Sequence, residues 1–194
     1  LGLRLAKGGR LMAMRESLGE LVARVRVLIG DTGDTPVFED ADIAAALDTW
    51  RTDMHYAQLT PTPVWTGPIA EYFVYTAPLT DWEADTVLYD SSNSALTPLY
   101  SDLQAGRWEF AENTPPPVYI VGKSYDVYAA AADMLEAWAA RVALDFDFSA
   151  DGGQFSRSQK RGALMAVAEQ YRRRSRPRCC VMVHKDINTT SWGR

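Results

Sequence analysis

Hydrophobic residues recur at helical spacing near the beginning of the chain. From Met14 to Ile29 they return every three or four positions, which is the repeat of an amphipathic helix with one buried face. The glycines of the Gly30–Gly33 turn favour an end to this first predicted helix. Its apolar stripe comprises Leu18, Leu21, Val22, Val25, Leu28 and Ile29.

A second helix is predicted after Phe38. Phe38 and Ile43 have the spacing of a hydrophobic staple around Glu39, and acidic residues in the first turn suit the positive end of the helix dipole. We expect this helix to continue until Pro61 and Pro63 end it. Its apolar face comprises Ile43, Ala46, Leu47, Trp50 and Met54.

The pattern changes between residues 62 and 123. Short runs of β-branched and aromatic residues replace the helical repeat, and segments rich in Pro, Gly and Ser separate the runs. We predict a small, mostly antiparallel β insertion of about four strands. The runs are Ile69–Thr76, Thr86–Tyr89, Arg107–Phe110 and Val118–Val121.

Helical spacing returns at Tyr125. A third helix is predicted from about Tyr125 to Phe146, and its alanine-rich part has high helix propensity. A fourth helix begins with the capping-box pattern Ser156–Gln159 and ends at Arg172–Arg174, whose charges suit the negative end of the dipole. Pro177 then closes the helical region.

Together these patterns predict a single α+β, mainly α domain. Its core is a four-helix bundle with an inserted small antiparallel β element and an extended C-terminal arm. The predicted parts are the bundle at residues 14–60 and 125–177, the β-rich insertion at residues 62–123, and the arm at residues 178–194.

Both ends of the chain differ from this domain. The arm contains a β-type run, Cys180–Val183, and two readings stay open: it orders on another chain, or it is a last strand of the insertion or a frayed tail. Lys7–Gly9 is what a purine-rich ribosome-binding sequence would encode, and Met12 and Met14 follow at a suitable distance. We therefore expect residues 1–13 to be a disordered or non-native leader.

Charge is distributed unevenly along the 194 residues, which carry a net charge of −5. The segment Arg157–Arg178 holds eight Lys or Arg residues and a single acid, Glu169, so it carries +7 and the remainder of the chain −12. The acidic remainder argues against a general nucleic-acid binder. The basic segment indicates one specific, negatively charged partner surface.

The basic segment has three interpretations. It docks on an acidic protein surface, it contacts phosphate, or it is a solvated helix end stabilised by the dipole. Base-reading Asn and Gln residues are scarce there, which disfavours sequence-specific DNA recognition. Under the protein-docking interpretation the candidate interface residues are Arg172, Arg173, Arg174, Arg176, Arg178, Val181, Val183 and Trp192.

No catalytic constellation is visible in the sequence, and neither an enzyme nor a bound cofactor is predicted. The chain has two histidines, His55 and His184, and no nucleophile elbow, phosphate-binding loop or zinc-protease motif. Cys179 and Cys180 are adjacent, so a bond between them would be strained, and free thiols are expected. No apolar run approaches the roughly 20 residues that span a bilayer, so no membrane association is predicted.

One acidic segment has a superficial metal-binding pattern. Oxygen-bearing residues alternate from Asp145 as they do in a calcium loop. However, Ala150 stands where the loop needs glycine, and Ser156 stands where it needs a bidentate glutamate. We interpret the segment as a connection between helices and predict no metal site.

Several stretches of the chain match one protein family. They are Val25–Asp31 with Phe38–Ile43 and Ala46–Asp48, Tyr89–Asp90 to Gly106–Arg107 with Phe110, Tyr125–Asp133, Phe146–Ser149, Arg157–Lys160 and Tyr171–Arg172. With these stretches, which lie between about Met14 and Pro177, the chain resembles the head–tail connector (adaptor, head completion) family of long-tailed bacteriophages and related gene-transfer particles. Two departures are that residues 1–11 match nothing and that the β insertion is long.

The resemblance implies a structural protein of the virion, assembled in the host cytoplasm and located at the head–tail junction. It implies a homo-oligomeric ring, commonly a dodecamer, that binds the portal protein and offers a platform to a neck or tail-completion protein. Genomic DNA would pass through the channel without specific binding. The C-terminal helix or arm would grip the portal.

Two further expectations accompany this interpretation. The alternative function is a nucleic-acid-binding module that uses the basic helix 157–178. Exposed aromatic residues of the β insertion would serve subunit contacts, although packing in the core explains each of them equally well. The aromatic candidates are Trp65, Tyr72, Trp82 and Trp108.

Overall fold

The computed structural model describes residues 15–143, 148–150, 153–155 and 157–177. In these residues a helical layer and a β-sandwich each have their own hydrophobic core. The helices are a 3₁₀ turn at Glu16–Leu18, α1 at Gly19–Ile29, α2 at Asp40–Thr49, α3 at Val127–Ala143 and α4 at Arg157–Arg174. The strands are β1 at Arg51–Gln58, β2 at Thr60–Thr66, β3 at Ile69–Thr76, β4 at Val87–Tyr89, β5 at Ala95–Leu96, β6 at Tyr100–Asp102, β7 at Arg107–Glu109, β8 at Tyr119–Tyr125, β9 at Phe148–Ala150 and β10 at Gly153–Phe155.

Helix α3 is the centre of the helical layer. It packs against α1 and α2 and against α4, and the side chains of Ala129–Ala132 are fully buried there. Small side chains allow the neighbouring helices to approach closely, while Val25 from α1 and Ile43 and Leu47 from α2 fill the remaining space. Helix α4 contributes little to this core, because Ala168 is its only buried side chain among those described.

The β-sandwich consists of two four-stranded antiparallel sheets. Sheet A has the order β1-β8-β4-β5, and sheet B has the order β2-β3-β7-β6. The chain passes from one sheet to the other at Leu59, which is buried between β1 and β2. The core between the sheets holds Tyr75 and Trp108 from sheet B, Leu88 and Ile120 from sheet A, and Trp82 from the connection after β3.

The predicted four-helix bundle core with a small β insertion is wrong. The β-sandwich is a second layer with its own core, and α4 lies on the outer side of α3 instead of closing a bundle. The sequence pattern misled because the polar and charged residues of α4 leave only a narrow apolar seam, made by Leu164, Val167, Ala168 and Tyr171. A helix with so narrow a seam can pack against one neighbour but cannot fill the centre of a bundle.

The second predicted helix also ends earlier than expected. It stops at Thr49, and residues 51–58 form β1 instead of a further helical turn. Met54 continues the helical spacing of Trp50, but it packs against the sandwich core from a strand. These residues form a strand because they pair with β8, with Arg51 to Met54 opposite Tyr125 to Gly122. The local sequence pattern does not indicate this pairing with a distant strand.

A buried carboxylate joins the two layers. Glu83 is completely inaccessible to solvent and lies in the connection between β3 and β4. Its carboxylate accepts hydrogen bonds from Arg15 Nε at 3.1 Å, Ser17 Oγ at 2.5 Å and the Tyr125 hydroxyl at 2.6 Å. Lys123 Nζ lies 3.3 Å from the same carboxylate. Arg15 and Ser17, which precede α1, and Lys123 and Tyr125 of β8 therefore all contact the Glu83 carboxylate. We call these five residues the Glu83 junction.

Opposing effects set the protonation of Glu83. Burial raises the pKa of its carboxyl, but hydrogen bonds from Ser17 and Tyr125 and the charges of Arg15 and Lys123 outweigh burial. The pKa of Glu83 therefore lies below its ordinary value, and the group is ionised at neutral pH. Burial also raises the pKa of the Tyr125 hydroxyl, as does its hydrogen bond to Glu83, so this hydroxyl stays a donor.

A second buried acid lies beside the junction. Asp81 forms an ion pair with Arg24 of α1 and accepts a hydrogen bond from Thr80 Oγ1. Burial is the largest influence on this carboxyl, and it raises the pKa of Asp81 despite the nearby guanidinium groups of Arg24 and Arg176. Asp81 and Glu83 thus fasten the same connection to the helical layer at two points.

We predict that Glu83→Gln destabilises the protein more than any exposed carboxylate change. The substitution leaves buried donors and cations without their charge, and removing one partner of a buried pair costs about 3 kcal/mol. Urea denaturation at neutral pH measures the loss, with the exposed Asp85→Asn as the matched control. Equal unfolding free energies of the two variants would contradict the role of Glu83.

The pH dependence follows from the lowered pKa of Glu83. Its contribution to stability is present at pH values above the pKa of an unfolded glutamate and disappears as the pH falls through the folded pKa. Acidification should therefore reduce the difference in unfolding free energy between wild type and Glu83→Gln. Urea titrations repeated from neutral to acidic pH measure this, and a difference that stays constant would count against it.

Candidate interaction surfaces

Arg172, a predicted interface residue, is used within the chain. Its guanidinium forms ion pairs with Asp133 and with Glu136 of α3, the latter at 3.0 Å, and lies 5.4 Å from the ring centre of Trp50. The hydrogen bond to Glu136 is the main influence on its pKa, which is raised. Arg172 therefore fastens α4 to α3 and is only partly available to a partner.

Arg176 forms a clasp between the end of α4 and the β-sandwich. Its Nη2 donates to the carbonyl oxygens of Thr80 at 2.6 Å and Tyr125 at 3.0 Å. Its backbone N–H donates to the Asp126 carboxylate at 2.6 Å. Burial lowers the pKa of Arg176, although its charge is retained. The clasp fixes the place at which the chain continues beyond Pro177.

Arg173 and Arg174 differ from these two arginines because both are exposed. The Arg173 side chain is 75% exposed, and its one ion pair among the described residues is with Glu169, one helical turn away, at 2.5 Å. An exposed pair of this kind contributes little to stability, so the charge stays available. The predicted interface residues Arg178, Val181, Val183 and Trp192 lie outside the described residues.

The solvent side of α4 is a continuous, unpartnered surface. Arg161, Met165, Glu169 and Arg173 are exposed and lie one turn apart. Met165 in the middle of this row is 44% exposed. Among the described residues, no element packs on this side of the helix. We call this surface the outer face of α4.

The outer side of sheet A carries a second unpartnered surface. Leu88 and Ile120 point into the sandwich core, so their strand neighbours point outward. The outward residues include Tyr89 and Tyr119, and the ring of Tyr56 lies 5.5 Å and 6.5 Å from theirs. We call this surface the tyrosine face; it consists of Tyr56, Val87, Tyr89, Tyr119 and Val121.

An irregularity in β1 presents Tyr56 to the other two rings. The register of β1 with β8 shifts between Met54 and Ala57, and Tyr56 has a φ of 52°. This left-handed conformation is costly for a bulky residue. The bulge lets Met54 and Ala57 both face the core while Tyr56 remains 53% exposed.

The β2–β3 hairpin carries a third apolar surface at its tip. Trp65 is 68% and Ile69 63% exposed on either side of the turn, where Gly67 has a φ of 69°. Of the four aromatic candidates, Trp65 is thus exposed, whereas Trp82 and Trp108 are buried against each other in the sandwich core. The fourth candidate, Tyr72, is half-buried and packs against that core.

Sequence reasoning missed the tyrosine face, although a signal for it exists. The run Val118–Val121 is apolar at consecutive positions, while a strand with one solvated face alternates between apolar and polar residues. A strand that is apolar on both sides predicts a sheet with two contact faces. No sequence pattern indicated that Tyr56 belongs to this surface, because residue 56 falls in the segment predicted as the second helix.

Within the described residues, no group of three or more His, Cys, Asp or Glu side chains is arranged to hold a metal ion. The open groove beside the Arg176 clasp, about 590 Å³ in volume, is lined by Trp50, Arg51, Leu79, Asp126 and Pro177, among others. The calcium-like segment from Asp145 to Ser156 falls mostly outside the described side chains. In the described part of the chain, no helix is long and apolar enough to cross a membrane.

Comparison with known proteins finds no similar protein. No family model matches the chain, and no curated protein and no solved structure matches it significantly.

The arginines of α4 should separate into two classes on mutation. Arg172→Glu places an acid beside Asp133 and Glu136, so we expect the unfolding free energy to fall by about 1–2 kcal/mol. Arg173→Glu changes an exposed residue and should alter stability by at most about 0.5 kcal/mol. Urea denaturation of both variants measures the difference. Equal losses would show that Arg172 does not hold α4 to α3.

Proposed function

We propose that this chain is a structural subunit of a tailed-phage virion, a head–tail connector that forms a ring beneath the portal. The observation that carries the proposal is the presence, among the described residues, of three separate surfaces that no other described element covers: the outer face of α4, the tyrosine face and the hairpin tip. A connector needs several contact surfaces, because each subunit meets neighbouring copies, the portal above and a neck or tail-completion protein below. The partners come from the family resemblance described above.

The composition of these surfaces supports an assembly role. Tyr56, Tyr89 and Tyr119 cluster on the outer side of one sheet, and Trp65 projects from a turn of the other. Tyr and Trp are enriched at protein interfaces, because they bury a large area at little conformational cost. Such aromatic surfaces, at separate places on a rigid body, favour contacts with more than one protein chain.

The charge pattern favours protein over nucleic acid as the partner of α4. Two arginines of the basic segment already contact the chain itself, since Arg172 pairs with two carboxylates of α3 and Arg176 donates to carbonyl oxygens of the β-sandwich. Fewer cations thus remain for phosphate than the sequence indicates. An acidic body also suits a channel subunit, because it repels passing DNA.

Binding to heads tests the proposal directly. Purified chain is mixed with DNA-filled, tailless heads of the phage whose genome encodes it, and the sedimented heads are examined by electron microscopy. We expect added density at the portal vertex, whose symmetry gives the number of copies. Heads without added density, together with binding of the chain to duplex DNA at physiological salt in a gel-shift experiment, would contradict the connector function and favour the nucleic-acid-binding alternative.

A matched pair of aromatic variants sharpens this test. Trp65→Ala removes an exposed ring and should leave the unfolding free energy unchanged within about 0.5 kcal/mol while it weakens a contact of the assembled particle. The matched control is Leu99→Ala, which removes another highly exposed apolar side chain, on the loop before β6. Equal assembly of the two variants on heads would exclude the hairpin tip as a contact.

A further inference from the structure

The outer face of α4 presents more positive charge than the chain itself neutralises. Arg161 and Arg174 are exposed, and within the described residues neither of them forms an ion pair. Arg173 is balanced only by Glu169 on the same face. Lys160 lies beside this face, with its ammonium 5.1 Å from the ring centre of Trp138 of α3. The outer face of α4 itself holds two cations, Arg161 and Arg173, and one acid, Glu169, so its net charge is positive.

The residues that lead into α2 present the opposite charge. Asp34, Glu39, Asp40 and Asp42 are all exposed, and we call the stretch from Asp34 to Asp42 the acidic segment. Asp40 is balanced by Arg26, while Glu39 and Asp42 cap the first turn of the helix. The backbone N–H groups that they cap are dipoles without net charge, so Glu39 and Asp42 keep their charges. A second cation, Arg141, donates to the Val37 carbonyl oxygen at 3.0 Å, so four acids face two arginines and the segment keeps a net negative charge.

Each of the two charged surfaces has an apolar centre. Met165 lies between Arg161 and Glu169 in the outer face of α4 and is 44% exposed. Val37 lies between Asp34 and Glu39 in the acidic segment and is 37% exposed. An apolar centre with a charged rim is the composition of a protein–protein contact, and here the two rims have opposite signs.

We propose that the outer face of α4 of one copy binds the acidic segment of a second copy. The contact joins different surfaces of identical chains, so it leaves a free surface at each end of a pair and can repeat around a ring. The inference rests on the proposed function only in assigning this contact to neighbours within the connector ring. The contact itself concerns the purified chain alone.

Charge reversal tests the contact. One variant carries Arg161→Glu with Arg173→Glu, and another carries Asp34→Lys with Asp40→Lys. Each places like charges across the contact, so we expect self-association of the full chain, measured by sedimentation velocity at low ionic strength, to weaken at least about tenfold. The control variant, Arg51→Glu with Arg107→Glu, makes the same change in net charge as the first variant but on the β-sandwich, and it should associate like wild type.

Mixing the two reversed variants gives the decisive result. The reversed α4 face of one variant is then complementary to the reversed acidic segment of the other, and the unchanged surfaces also match, so association should return to the wild-type level. A chain that carries all four substitutions should associate with itself as well. Urea denaturation of each variant verifies that the subunit remains folded.

Three results would overturn the proposal. These are a wild-type chain that stays monomeric at low salt, reversals no more harmful than the control, and a mixture that fails to restore association. A chain that associates through this contact but leaves heads bare would keep the contact and refute the connector function. A chain that binds the portal vertex of heads although the charge reversals leave its self-association unchanged would support the connector function and refute the contact.

Discussion

The structure depends on one buried charge, the carboxylate of Glu83. The helical layer and the β-sandwich have separate cores, and hydrophobic packing within each core does not by itself fix how the two are placed. A carboxylate without solvent access must be paired, because an uncompensated buried charge costs several kcal/mol. Arg15, Ser17, Lys123 and Tyr125 supply that compensation from both layers, so the charge is paired in the arrangement of the layers that the structure shows.

The arginines near the end of α4 extend the same principle. Arg176 joins the end of this helix to carbonyl oxygens of the β-sandwich, and Arg172 joins the helix to acids of α3. These contacts of Arg172 and Arg176 hold α4 in place, because the narrow apolar seam of the helix buries little hydrophobic surface. Arg161 and Arg173, in contrast, face solvent and belong to the surface from which the proposed contact between copies is built.

The three unpartnered surfaces follow from this construction. One side of sheet A packs into the sandwich core, and the other side carries Tyr56, Tyr89 and Tyr119. The hairpin tip extends beyond the core, and α4 covers α3 on one side only. Because the internal pairs fix the layers, these surfaces keep constant positions relative to one another, which is what a subunit with several partners requires.

Periodicity in the sequence determined the local elements. The helical stripe to Ile29, the glycine that ends it in a left-handed conformation and the four β-type runs lie where the pattern predicts. Local signals suffice there because backbone propensity and the hydrophobic repeat agree. Strand β1 was not predicted, because its partner β8 is distant in sequence and no local pattern indicates the pairing. Strand β2 was not predicted because Pro61 and Pro63 interrupt its pattern, and β5 and β6 were not predicted because they are only two and three residues long.

The sequence by itself determined the helical segments, the β-rich character of the middle region and the concentration of basic residues near the C-terminus. Only the tertiary structure decided that the middle region is a full sandwich, that Arg172 and Arg176 pair internally and that Arg161 and Arg174 form no ion pair with another described residue. Residue type fixes a charge, but its partner depends on which distant segment folds beside it. The roles of Arg172 and Arg176 therefore depend on Asp133 and Asp126, which only the folded structure brings next to them.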